Sequence, residues 1–144
     1  VIGDSISSMN DTMLMEHMRQ QSGRDKHIAL FADFRKINNV LKEIFYELIT
    51  IPKNVVLVAH EDVLVDKESN RTLEVRPLLP PAARHAVERL VNEVYYLEAK
   101  SALKGGMERT LYLNSQGKIL AKNRSSHSEN KVSNPTWQGV FSAS

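Results

Sequence analysis

Three short clusters in this chain carry side chains that can handle phosphate and a metal ion. The first is Val1-Ile2-Gly3-Asp4-Ser5-Ile6-Ser7, an apolar, β-branched run ending in a carboxylate and a hydroxyl. A carboxylate at the carboxyl end of a strand in an open α/β sheet lies where ligands bind. There Asp4 would hold magnesium, directly or through water, beside a triphosphate; its other ordinary role is to form a turn or cap a helix. The second cluster, His60-Glu61, ends the apolar run Asn54-Val55-Val56-Leu57-Val58-Ala59. A polar side chain there would contact a terminal phosphate or orient an attacking water, and a glutamate would act as a base; the alternative is a solvated strand end. The third is Lys122-Asn123-Arg124. Two cations at alternate positions of an extended segment point the same way and would reach phosphates, of a nucleotide on a neighbouring subunit or of DNA, unless they are simply a basic strand end.

These clusters need elements to position them. Residues 1–6 read as a buried-type strand. Residues 8–21 hold a weak helical period in Met9, Met13, Leu14 and Met18, followed by a turn at Ser22-Gly23-Arg24-Asp25. From His27 to Thr50, Ile28, Phe31, Phe34, Ile37, Leu41, Ile44, Phe45 and Leu48 recur at three- and four-residue steps, which predicts a helix laid on a sheet and stopped by Pro52. The run 54–59 suits a central parallel strand covered on both faces. Residues 61–76 predict a hairpin around Lys67-Glu68-Ser69-Asn70, and Pro80-Pro81 opens a helix over 82–91. A strand over 93–99 comes next, then a loop at Lys104-Gly105-Gly106. A second hairpin pairs 109–113 with 118–121 about Asn114-Ser115-Gln116-Gly117. The order predicts an α/β fold: parallel strands with flanking helices, then an antiparallel edge hairpin. Residues 1–124 are the expected domain. Residues 125–144 are the expected polar, flexible tail, anchored by Trp137 and Phe141.

Composition limits the classes. The 144 residues are 42% hydrophobic and 25% charged, as in a globular domain, and the net charge of +2 with a sequence pI of about 8.9 is too mild to name a nucleic-acid partner by itself. With no cysteine there is no disulfide, thiolate nucleophile or Cys-based zinc site. His17, His27, His85 and His127 lack metal-ligand spacing. No apolar run reaches membrane length. The first residue is Val1 rather than Met, and a processed or truncated product is expected.

Taken in order, the strand 1–7, the strand 54–61 ending in Ala-His-Glu, Arg76-Pro77-Leu78-Leu79-Pro80 before a short helix, the strand 93–100 and the terminal Ala121-Lys122-Asn123-Arg124 resemble phage RecA-like nucleotide-binding proteins of the AAA type. These are related to single-strand annealing recombinases. The resemblance covers residues 1–125. It implies the C-terminal part of a RecA-like P-loop core. Asp4, with Ser5, would lie in the Walker B strand and hold magnesium, and His60 would sense the terminal phosphate with Glu61 beside it. Lys122 and Arg124 would act on the adjacent subunit's nucleotide. The implied cofactors are ATP and Mg2+ and the implied partners single-stranded DNA and further copies of the chain, in the cytoplasm of a bacterial host. Two departures stand out. Gly3 replaces a bulky apolar residue, and no G-x-x-x-x-G-K-[ST] phosphate loop occurs in the 144 residues, so the expectation is that the loop lies outside them. Two other readings stay open. One is a non-enzymatic DNA-binding or assembly module. The other takes Gly3-Asp4-Ser5 as a GDS-type hydrolase motif with Ser5 as nucleophile, although the Asp-x-x-His pair of that family is absent.

Overall fold

The computed structural model describes residues 2–21, 28–102, 105–124 and 129–141. The turn expected at Ser22-Gly23-Arg24-Asp25 lies outside them, as do Val1, His27, Lys104, His127 and the side chain of Phe141. The chain is mixed α/β, with parallel and antiparallel pairing, and forms two compact units. One unit is built from the chain up to Asp62 together with Pro77–Leu90. The other is built from Val63–Arg76 and the chain from Val91 onward.

In the first unit, β1 (Ile2–Asp4) leads into α1 (Ile6–Arg19), and α2 (Phe31–Thr50) leads into β2 (Val56–Val58). The opening strand is shorter than residues 1–6 because Ser5 caps a helix: its Oγ accepts the Ser8 N–H at 3.1 Å, and Ile6 and Ser7 fall in the first helical turn. Helix α2 begins at Phe31, not His27, for a similar reason. The Asp33 carboxylate reaches back to the Leu30 N–H at 2.7 Å and satisfies an amide that the helix itself leaves open. Asp33 also meets His17 Nε2 at 3.2 Å, which ties the end of α1 to the start of α2.

Strands β1 and β2 pair in parallel, Ile2 to Val56, Gly3 to Leu57 and Asp4 to Val58. The parallel pairing is as expected. Coverage on both faces is not, since Ile2 is 70% exposed and Val58 is also exposed. Gly3 fits where it lies because a Cβ there would come within 3.3 Å of Leu57 Cδ2. The apolar stripe of α2 points inward through Ile37, Leu41 and Phe45, packing with Ile6, Met18, Leu79, Ala83, Ala86 and Val87. The last three belong to α3 (Pro81–Leu90), which starts on a proline where the missing N–H costs nothing. Phe31 and Phe34, read as part of the same stripe, are exposed.

Strand β3 (Glu61–Val65) and β4 (Thr72–Pro77) form the expected hairpin, with Asn70 at positive φ in its turn. In the second unit, β5 (Tyr96–Ser101), β6 (Met107–Tyr112) and β7 (Lys131–Ser133) make an antiparallel sheet in that order. The hairpin expected between 109–113 and 118–121 is not formed. The glycines at 105 and 106, both at positive φ, let the chain reverse directly from β5 into β6. The far side of β6 is then taken by β7, through Thr110–Ser133, Leu111–Val132 and Tyr112–Lys131. Residues 118–122 turn elsewhere: Val75 N–H donates to Lys118 O and Leu120 N–H to Val75 O, while Lys122 bridges antiparallel to Val94.

The segment read as a polar tail thus contributes β7 and a short helix α4 (Trp137–Phe141). Backbone pairing asks for no hydrophobic pattern, so Lys131 and Ser133 can build a strand that patterning misses. Trp137 is 56% exposed, and Val140 of α4 is buried.

Leu41 is 0% exposed at the centre of the first unit. Leu41→Ala is expected to cost about 2–5 kcal/mol by leaving a cavity. Chemical denaturation of the two proteins measures it.

Candidate functional site

In a parallel pair both strands end on the same side, so the β1–β2 register brings the first two sequence clusters together. Asp4 lies opposite Val58, and His60 follows two residues later at the same carboxyl end. Asp4, Ser5, His60 and Glu61 therefore surround one end of a small parallel sheet. Asp4, His60 and Glu61 are exposed, and Ser5 is half-buried. The Asp4–Ser5 peptide bond is cis.

A closed set of hydrogen bonds holds this end. Ser7 Oγ donates to the Leu78 carbonyl at 2.8 Å, Leu78 N–H donates to the His60 carbonyl at 2.7 Å, and His60 N–H donates back to Ser7 Oγ at 3.1 Å. Each group is donor or acceptor to the next, an arrangement in which bonds polarise one another. Ser7 is 4% exposed, so water does not replace these partners without cost. Arg84, 7% exposed on α3, grips the same segments from another side. Its Nη2 donates to the Leu79 carbonyl at 2.7 Å and lies 3.7 Å from Asp62 Oδ2. The backbone on either side of His60 and Glu61 is fixed, and the His60 side chain stays exposed.

Neither Ser7 nor Arg84 was a candidate from sequence. A serine beside a capping serine looks like one more polar residue of a helix start, and Ser7 and Leu78 are 71 positions apart. For Arg84 the available signal was its place among Ala83, Ala86 and Val87, which put it on the apolar side of α3.

Asp4 suits magnesium, a hard cation that usually keeps several waters and takes one or two carboxylates plus phosphate oxygens. No group of three or more His, Asp or Glu residues that would cage a metal occurs among the described residues, so a metal here would draw most of its ligands from phosphate and water. Ser5 is occupied as a helix cap, with its Oγ 3.0 Å from Ser8 Oγ and accepting the Ser8 N–H. It has no hydrogen bond to a histidine among the described residues, as a serine nucleophile requires.

Lys122 and Arg124 belong to the second unit. They do not share one environment. Lys122 is half-buried and its Nζ donates to the Val91 carbonyl at 2.7 Å, whereas Arg124 is exposed. On the β5–β6–β7 sheet, Glu98 accepts Lys100 Nζ at 2.9 Å and the Tyr112 hydroxyl at 3.1 Å. The Lys100 hydrogen bond holds the Glu98 carboxyl below its ordinary range, with Tyr112 adding to the effect. The Tyr112 phenol is pushed up, first by desolvation and then by its bond to Glu98.

The chain is a mixed α/β protein whose parallel strand end carries carboxylates and a histidine, the kind of place where α/β domains bind ligands. The AAA-domain family model matches residues 1–125, and the chain belongs to that family. The match supports a P-loop NTPase-like domain of a kind that generally binds ATP with magnesium. No curated protein and no solved structure matches the chain. No helix among the described residues is long and apolar enough to cross a membrane.

Two outcomes follow. Ser7→Ala leaves the His60 N–H and the Leu78 carbonyl without their partner. It is expected to destabilise the first unit by about 1–3 kcal/mol and to speed exchange of the His60 amide, read by denaturation and hydrogen exchange. Glu98→Gln removes the charge that favours the protonated phenol, so Tyr112 is expected to ionise at lower pH than in the wild type, seen in the near-ultraviolet absorbance. The sign is fixed by the raised phenol: its contribution to stability is complete below the unfolded value and lost as pH rises through the folded one.

Proposed function

We propose that this chain carries the Walker B and sensor part of an ATP site in a RecA-like phage protein that works on DNA in recombination or replication. The observation that supports it most is the parallel register that sets Asp4 and His60 at the same end of β1 and β2, with the backbone of His60 locked by Ser7. In this reading Asp4 holds the magnesium ion, with Ser5 beside it. His60 contacts the terminal phosphate, and Glu61 orients or deprotonates the attacking water. Lys122 and Arg124 come from a neighbouring copy, whose nucleotide they touch, so the working form is a homo-oligomer. Arg124 suits that role better, since the Lys122 amino group is engaged on Val91. The partner is single-stranded DNA and the setting the cytoplasm of a bacterial host.

The 144 residues contain no G-x-x-x-x-G-K-[ST], so the amide cradle and lysine that grip the phosphates come from polypeptide outside them. Bound ATP–magnesium supplies the electrophilic phosphorus and its charge neutralisation. The residues here orient, polarise and exclude rather than grip.

Titration calorimetry tests this. Residues 1–144 alone are expected to bind ATP–magnesium weakly or not at all. The same residues joined to a P-loop segment are expected to bind and to lose magnesium dependence on Asp4→Asn. Micromolar affinity without a P-loop, unchanged by Asp4→Asn and His60→Ala, overturns the proposal.

A further inference from the structure

The β5–β6–β7 sheet presents a face that the nucleotide site does not use. Cross-strand partners share a face, so Tyr96, Tyr112 and Lys131 form one row across the three strands. The two tyrosine rings lie 5.9 Å apart, tilted at 39°. Next to them is a polar cleft of about 200 Å³, lined by Glu98, Lys100, Glu108, Thr110, Tyr112 and Lys131. That is below the roughly 300–1,000 Å³ of an enclosed small-molecule pocket, and it suits one piece of an extended chain.

The charges on this face are unevenly satisfied. Lys100 pairs with Glu98 and lies opposite Glu108, so that part of the face holds two carboxylates to one ammonium group, and Lys131 brings the cleft to an equal number of each. Lys131 holds no ion pair among the described residues, and neither does exposed Arg124. Arg124 ends the segment that bridges to Val94, two residues before Tyr96. Counted from the sequence, the second unit has ten Lys and Arg against seven Asp and Glu, whereas the first has nine against ten. Aromatic rings that accept any base, with unspent cations at their edge, are what a sequence-tolerant single-strand surface requires.

We infer that this face binds single-stranded DNA, with bases stacked on Tyr96 and Tyr112 and a backbone phosphate on Lys131. The inference rests on the reading that the chain works on single-stranded DNA, and it adds the surface that does so. Glu98 does not repel the strand strongly, because its charge is already met by Lys100 and the Tyr112 hydroxyl.

The test is fluorescence anisotropy of a labelled oligothymidylate against residues 1–144 over a range of salt. Tyr96→Leu is expected to weaken binding roughly tenfold or more through lost stacking. Tyr96→Phe, which keeps the ring and the strand, is expected to bind as the wild type. Lys131→Gln is expected to lower the slope of log affinity on log salt by about 0.7, one phosphate contact on a single strand. Circular dichroism checks that each variant is folded. If the wild type binds and a folded Tyr96→Leu or Lys131→Gln binds equally well, the surface assignment is overturned while DNA binding stands. If the wild type does not bind, or inorganic polyphosphate competes as well as oligothymidylate, the single-strand reading itself fails and takes the surface with it.

Discussion

The first unit depends on a serine hydroxyl that both gives and takes a hydrogen bond. Ser7 Oγ, Leu78 and His60 close a ring that joins the first turn of α1, the end of β2 and the segment entering α3. A hydroxyl suits this place because a single atom donates to one backbone group and accepts from another. The two-stranded β1–β2 sheet has three paired positions and little cooperativity of its own. The ring and the α2 core around Leu41 and Phe45 give it a fixed end. Without that fixed end, Asp4 and His60 would be near each other in register but not held in one arrangement.

The two units use the sheet in different ways. In the first, parallel strands and helices leave a carboxyl end where polar side chains gather, the geometry that α/β domains use for ligands. In the second, an antiparallel sheet offers a face, with a chemical identity set by alternate residues of three strands. The AAA-domain family model spans residues of both units, 1–125. The second follows from the cross-strand row of Tyr96, Tyr112 and Lys131, a combination that exists only once the register is known.

Much of the fold was legible. The three- and four-residue spacing of Ile37, Leu41 and Phe45 marked α2 and its buried side, and the apolar run 54–59 marked the strand that pairs in parallel with β1. What failed was local in one case and long-range in another. The starts of α1 and α2 shifted because Ser5 and Asp33 cap them, a hydrogen-bond effect that apolar periodicity ignores. The partner of β6 was misassigned because Asn114–Gly117 looks like a hairpin turn, yet the glycines at 105 and 106 made the reversal first and β7 occupied the other edge.

By itself the sequence determined the residue types that can do chemistry and the elements that carry them: Asp4 and His60 at strand ends, Lys122 and Arg124 after the last apolar run, and no phosphate loop within the 144 residues. Such features are written in near neighbours, which is where periodicity and capping act. Only the tertiary structure decided that Ser7 and Arg84 hold the site, that Lys122 spends its amino group on Val91, and that Tyr96 shares a face with Lys131. Those outcomes depend on contacts between residues far apart in the chain. A hydroxyl or an amino group chooses among many possible partners, and packing alone selects which of them comes within reach.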